Sequence, residues 1–203
     1  MNKNSLRRRQ LLWYGGLGIA GAGAAIVLGK LDPKIASTPR EMISISDQSD
    51  LLSPVAQAAS RPQLPEFQGI SQWLNSQPLS IASLKGKVVL VQFWTFSCIN
   101  CQRTLPYIVK WHQRYATQGL QVIGVHTPEF AFERDPNNVR KALQRYQIAY
   151  PVPMDNEFKT WNAYRNRYWP NLYLADRQGF LRYSHAGEGA YDVTEQRIQQ
   201  LLG

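Results

Sequence analysis

Cysteine is scarce in this chain of 203 residues: only Cys98 and Cys101 are present. Two cysteines cannot build the disulfide scaffold on which small secreted proteins rely. They also fall short of a four-ligand structural zinc site, because His112, His126 and His185 are the only histidines and none adjoins the pair. Low complexity is missing as well. The chain is 44% hydrophobic and 18% charged, with 11% aromatic residues, which excludes a mainly disordered polymer. A clustered basic face is also lacking. The net charge of +9 divides into +3 for residues 1–60 and +6, widely scattered, for residues 61–203. The run Tyr164-Arg165-Asn166-Arg167-Tyr168-Trp169 comes nearest to a phosphate-tracking surface, and no nucleic-acid partner is expected. There is no internal repeat.

Three segments follow one another along the chain. Lys3, Arg7, Arg8 and Arg9 precede an uncharged run from Gln10 to Gly29 with six Gly and four Ala. As a helix those residues would span about 30 Å, the thickness of a bilayer core. The basic cluster then faces the cytoplasm and the rest of the chain lies outside. Arg8-Arg9-Gln10-Leu11-Leu12 is similar to a twin-arginine export core, with Arg7 at the usual Ser/Thr position. Ala56-Gln57-Ala58 has the small-x-small form of a cleavage site but lies far beyond the apolar run, so residues 1–30 are read as a signal peptide or, by preference, an uncleaved anchor. Residues 31–62 hold four Pro, six Ser and no aromatic residue, the composition of a flexible tether. Five of the six Trp follow, which places the folded domain at 63–203. About 140 residues suffice to bury roughly two-thirds of their surface on folding.

Within that domain strands and helices alternate. Lys87 to Trp94 is a near-continuous apolar run, as expected of a strand buried on both faces. Helical spacing follows through Leu105, Ile108, Val109, His112 and Tyr115, ending at Gly119. Leu120–Val125 reads as a second buried strand, Asn138–Tyr146 as a helix, Tyr150–Met154 as a short strand and Phe158–Tyr164 as a short helix. Leu172–Ala175 and Phe180–His185 flank the turn Asp176-Arg177-Gln178-Gly179, a hairpin signal. Val193–Leu202 is an amphipathic terminal helix. The pattern predicts an α/β domain with a mixed central sheet flanked by helices.

The cysteine pair falls at a strand-to-helix junction, in the order Thr95-Phe96-Ser97-Cys98-Ile99-Asn100-Cys101. With Ser97 as helix N-cap, Cys98 lies in the first turn, at the positive end of the helix dipole. That position is worth about 0.3–1 kcal/mol to an anion, up to about 2, and lowers a thiol pKa of ~8.5 by roughly one unit. A hydrogen bond from the second thiol lowers it further. The thiolate is the nucleophile in disulfide exchange. Cys98 is therefore the attacking residue and Cys101, one turn deeper, the resolving one. Half of a metal site and a pair of inert core cysteines are the competing readings of a bare CxxC. Gln102 in place of His excludes the CxxCH haem attachment motif, and no second CxxC exists for zinc. No cofactor and no metal are called for.

These features resemble the thioredoxin superfamily, in its membrane-associated TlpA/DipZ-like branch. The carriers are Val91-Gln92-Phe93-Trp94-Thr95-Phe96-Ser97-Cys98-Ile99-Asn100-Cys101, Gly124-Val125-His126-Thr127-Pro128-Glu129-Phe130 and Asn166-Arg167-Tyr168-Trp169-Pro170. The resemblance implies a thioredoxin-like fold and thiol–disulfide oxidoreductase activity through a redox-active Cys98–Cys101 disulfide. It also implies a kinking proline at Pro106 and a cis-proline at Pro170 beside the cysteines. The Trp169 backbone would then pair with an extended substrate. The implied partners are proteins carrying cysteines or disulfides, together with a membrane redox partner, and cytochrome c maturation is one pathway such reductants serve. One departure stands out. Gln92 occupies the place of the buried Asp of many thioredoxins, and Gln cannot relay a proton. Glu129, on the loop after Leu120–Val125, is the candidate to do so. A thiol peroxidase is the second functional reading, since Thr95 stands three before Cys98, although Val91 replaces the proline of the PxxxTxxC pattern. A copper chaperone is the third, against a usual CxxxC spacing.

Overall fold

The computed structural model describes residues 62–203. The expected anchor and the tether, Pro62 apart, lie outside the described residues, and among those described no helix is long and apolar enough to cross a membrane. The first described residues are tied to the sheet: Pro62 O accepts from Leu181 N at 2.8 Å, and Leu64 N donates to Gly179 O at 3.1 Å.

Six strands form one mixed sheet: β1 (Gln72–Leu74), β2 (Val88–Trp94), β3 (Leu120–His126), β4 (Val152–Met154), β5 (Asn171–Ala175) and β6 (Leu181–Ala186). Their spatial order is β1-β4-β3-β2-β5-β6. β2, β3 and β4 run parallel, whereas β1, β5 and β6 each pair antiparallel with their neighbours. The helices are α1 (Ile99–Tyr115), α2 (Pro136–Arg145), α3 (Lys159–Ala163) and α4 (Tyr191–Leu202). Every strand and helix expected from periodicity is present. The three-residue β1 is an addition, too short to show a period of two.

All seven residues of β2 are buried, because they alternate between two cores. Val88, Leu90 and Trp94 face the core built with Leu105, Ile108 and Trp111 of α1, Val139 and Leu143 of α2 and Ile198 of α4. Val89, Val91 and Phe93 face the other, with Leu64, Ile81 and Leu84 on one side and Trp161 and Tyr164 on the other. Each such side chain contributes about 1.5–3 kcal/mol by leaving water. The Tyr164–Trp169 run is partly spent here. Tyr164 and Asn166 are buried, so only part of it faces solvent.

Two central strands meet at a close approach that only glycine permits. Gly124 of β3 pairs with Gln92 of β2. A Cβ at Gly124 would lie 2.7 Å from Tyr150 Cε2 and 3.1 Å from Trp94 Nε1, while that indole donates to Gly124 O at 3.2 Å. The buried rings cannot withdraw from a close-packed core. Gly124→Ala is therefore expected to lower stability by about 1–3 kcal/mol through overpacking, read as a shift of the denaturant midpoint at unchanged m-value.

Candidate functional site

β2 delivers the chain to the sheet edge, and Thr95-Phe96-Ser97 turns it into α1. Helix α1 starts one residue later than the sequence reading has it. Cys98 itself is the N-cap, with φ −72° and ψ 116°, and Gln102 N closes the first turn on Cys98 O at 3.0 Å. Ser97 does not cap the helix. Its hydroxyl donates to Glu133 Oε1 at 2.6 Å, because a buried carboxylate competes for it more strongly than a helical N–H does. Pro106 lies within α1 as expected, and its missing N–H leaves the Gln102 carbonyl without its usual helical donor.

The two thiols are free, Cys98 half-buried and Cys101 buried. They occupy opposite electrostatic situations. The Cys101 thiol donates to the Cys98 sulfur and holds its pKa down to about 6, against the opposing effect of burial, with help from the backbone N–H groups of Cys101 and Asn100. Burial pushes the Cys101 thiol far up, and the proton it shares with Cys98 pushes it further. Cys98 is thus a thiolate at neutral pH and Cys101 a thiol. The second thiol is the largest cause of the lowered Cys98 pKa, ahead of the backbone N–H groups at the helix start.

Pro170 is buried and the Trp169–Pro170 peptide bond is cis. The preceding carbonyl, Trp169 O, lies 4.0 Å from Cys98 Sγ. The Trp169 indole packs on Trp161, ring centroids 4.2 Å apart, and donates through Nε1 to Thr127 O at 3.1 Å. Asp155 holds Trp161 from below: its carboxylate accepts from Trp161 N at 2.8 Å, Thr160 N at 3.1 Å and Thr127 Oγ1 at 3.4 Å. Burial raises the Asp155 pKa despite these bonds.

The floor of the site is neutral where many thioredoxins have a carboxylate. Gln92 is fully buried, and neither atom of its amide has a hydrogen-bond partner among the described residues. The buried carboxylate of this site is instead Glu133, in the 3-10 turn Ala131–Arg134 after β3. Its Oε1 accepts from Ser97 N at 3.2 Å, from the Ser97 hydroxyl and from the Thr95 hydroxyl in a very short bond. Its Oε2 accepts from Glu129 N at 2.6 Å and Phe130 N at 2.9 Å. Burial pushes the carboxyl up, but these donors outweigh it and the net pKa is lowered, so Glu133 stays ionised. His126, buried next to Thr95 with Nε2 3.4 Å from its hydroxyl, is kept neutral by desolvation, its pKa pushed down to about 4 against the pull of Glu133. Glu129 is exposed, and its negative charge acts on Cys98 to raise its pKa.

Sequence reasoning missed Glu133 and Asp155. Glu129 and Glu133 stand four apart beside aromatic residues, and no period distinguishes the buried one from the exposed one.

Against known proteins, residues 61–184 match the AhpC/TSA family model. The chain is 51% identical over 150 residues to Protein DipZ of Mycobacterium bovis, covering 72% of this chain but only 22% of that protein, so it spans about a fifth of that relative's length. It is 29% identical over 142 residues to the thiol-disulfide oxidoreductase YkuV of Bacillus subtilis, covering 70% of this chain and 95% of the other. The solution structure of a thioredoxin-like protein in the oxidized form superposes with a TM-score of 0.65 at 29% identity, over 70% of this chain and 95% of that one.

Two outcomes follow from the geometry. Alkylation of Cys98 in the reduced protein should rise through a midpoint near pH 6 and level off by neutrality, followed by mass spectrometry; a midpoint above pH 8 contradicts the thiol-to-thiolate hydrogen bond. Glu133→Ala should lower stability by about 3 kcal/mol or more, because five donors lose a charged acceptor, read by thermal melting. A cysteine pair at the start of a helix, its second thiol buried, on a mixed sheet with this order, agrees with both the family match and the structural likeness: the chain belongs to the AhpC/TSA family and has a thioredoxin-like fold.

Proposed function

We propose that this chain is a thiol–disulfide oxidoreductase that exchanges disulfides with protein cysteines outside the cytoplasm, held at a membrane by its N-terminal segment. The observation that carries the reading is the Cys98 thiolate, half-exposed, hydrogen-bonded by a buried thiol one turn away. The Cys98 sulfur attacks one sulfur of the partner disulfide. The partner S–S bond breaks, a mixed disulfide forms and one partner thiolate leaves. Cys101 then loses its proton and attacks Cys98, forming the Cys98–Cys101 disulfide and releasing the second partner thiolate. The partner gains two electrons and the pair loses two.

The Trp169 backbone positions the extended partner segment, with Pro170 beside the sulfurs. Support comes from the indole, which is occupied in packing while the carbonyl faces Cys98. The proton of Cys101 needs an acceptor. Glu133 is a poor one, with both oxygens already accepting from several donors. Glu129 is exposed on the loop after β3, and its charge acts on Cys98, which supports it as the proton-transfer carboxylate. The basic and apolar N-terminus supports a membrane attachment, and a membrane redox partner to reset the pair fits that location. The resemblance to the TlpA/DipZ-like branch supports cytochrome c maturation as a pathway served.

Reduced protein should reduce insulin, and Cys98→Ala should abolish the activity. Cys101→Ala should accumulate a mixed disulfide through Cys98, identified by mass spectrometry. Fast peroxide consumption without disulfide exchange would overturn the reading in favour of a thiol peroxidase. Tight stoichiometric copper in the reduced protein would overturn it in favour of a copper chaperone. Glu129→Gln should slow resolution by Cys101 and shift its pH profile; an unchanged profile removes Glu129 from the mechanism.

A further inference from the structure

Near the cysteines a cleft of about 540 Å³ opens between the start of α1 and α2. Its walls include the rings of Phe96, Phe132 and Tyr146 and the cationic side chains of Lys141 and Arg145. Ser97, the neighbour of Cys98 in the chain, lines it too, so the cleft begins one residue from the reactive sulfur. We propose that this cleft seats a segment of the partner protein in which an acidic side chain adjoins an aromatic one, a few residues from the cysteine being attacked. The proposal rests on the oxidoreductase reading and adds to it the chemistry of the preferred partner.

Three features support that occupant. The first is unpaired positive charge. Lys141 and Arg145 are exposed, stand four apart on α2 and have no carboxylate within salt-bridge distance among the described residues. Like charges at that spacing weaken a helix, and an anion between them removes the penalty. The Arg145 guanidinium lies 5.5 Å from the Tyr146 ring centroid, which orients it along the cleft wall. The acids of this face do not neutralise the pair. Glu133 is buried and bonded to the loops, Asp135 accepts from Asn137 N at 2.8 Å at the start of α2, and Glu129 is exposed on the preceding loop.

The second is exposed aromatic area. Phe132 is 53% exposed and Phe130 50% exposed, their rings stacked 5.7 Å apart. Large apolar side chains left in water next to a reactive centre mark a contact surface, and aromatic residues are favoured where partners meet. The third is rigidity. Gln102 Nε2 donates to Phe96 O at 2.9 Å and Asn138 Nδ2 to Phe132 O at 3.0 Å, so both aromatic walls are tied to helices. A preformed cleft loses little entropy when a partner enters it.

The test uses the full-length reduced protein and synthetic disulfide-linked peptides in which Glu-Phe or Lys-Phe follows the cysteine at a spacing of two. Each rate is taken relative to the same variant's rate with dithiodipyridine, a small neutral disulfide that cannot span the cleft. The Glu-Phe peptide should react about tenfold faster than the Lys-Phe peptide, with the difference shrinking at high salt. Lys141→Glu with Arg145→Glu should reverse the preference, and Phe132→Ser should reduce the rate with both peptides. Arg197→Glu, on α4, should leave the preference as it is. Equal rates for the two peptides, an unreversed preference in the double variant, or a reversal by Arg197→Glu would each overturn the proposal. Failure of the unaltered protein to react with dithiodipyridine would instead overturn the oxidoreductase reading on which it rests.

Discussion

One buried carboxylate holds the site in shape. Glu133 comes from the loop after β3, yet its oxygens accept from Thr95 and Ser97 on the loop after β2 as well as from Glu129 and Phe130 on its own loop. A charge taken out of water is tolerated only where donors surround it. That requirement joins two loops that the sheet alone would leave independent. The loop that carries Cys98 is thus tied to the loop after the neighbouring parallel strand.

That fixed negative charge also divides the work between acidic groups. An anion near the cysteines opposes a second anion, and it contributes to the raised pKa of Cys101. The lowered pKa of Cys98 must therefore come from something more local, and the Cys101 thiol supplies it first, over a single turn of helix. The result is one sulfur whose pKa is lowered and one whose pKa is raised. Beneath them, Gln92 presents a buried amide that does not titrate. The site keeps its carboxylates on the loop after β3, Glu133 buried and Glu129 exposed, rather than in the floor.

The fold was legible because its evidence is periodic. β2 announces itself as an apolar run broken only by Gln92, and burial on two faces is the physical reason. The turn Asp176–Gly179 announces β5 and β6 by its residue chemistry, and Gly179 N indeed closes on Asp176 O at 2.9 Å. Cys98 and Cys101 were legible for a different reason: they are the only cysteines, and they stand where a strand gives way to a helix. The helix start was misplaced by one residue, because Ser97 is a good cap by type and nothing local reveals that Glu133, thirty-six positions on, takes its hydroxyl. Trp111 escaped the helix reading although it is fully buried, since it lies at the margin of the apolar stripe. Glu133 and Asp155 were illegible for the same reason as the cap. A buried acid is selected by donors that converge from distant segments, and convergence leaves no mark in a linear pattern.

The antiparallel pairing of β2 with β5 has a consequence for how the molecule works. Phe93 stands opposite Asn171, so the chain ends that carry Cys98 and Pro170 leave the sheet from adjacent rungs of one ladder. A slip of one residue would turn every β5 side chain to the other face. Both segments therefore leave from paired strands inside the sheet. The positions of Cys98 and Pro170 relative to each other are thus set by backbone pairing in the sheet, not by side-chain packing alone.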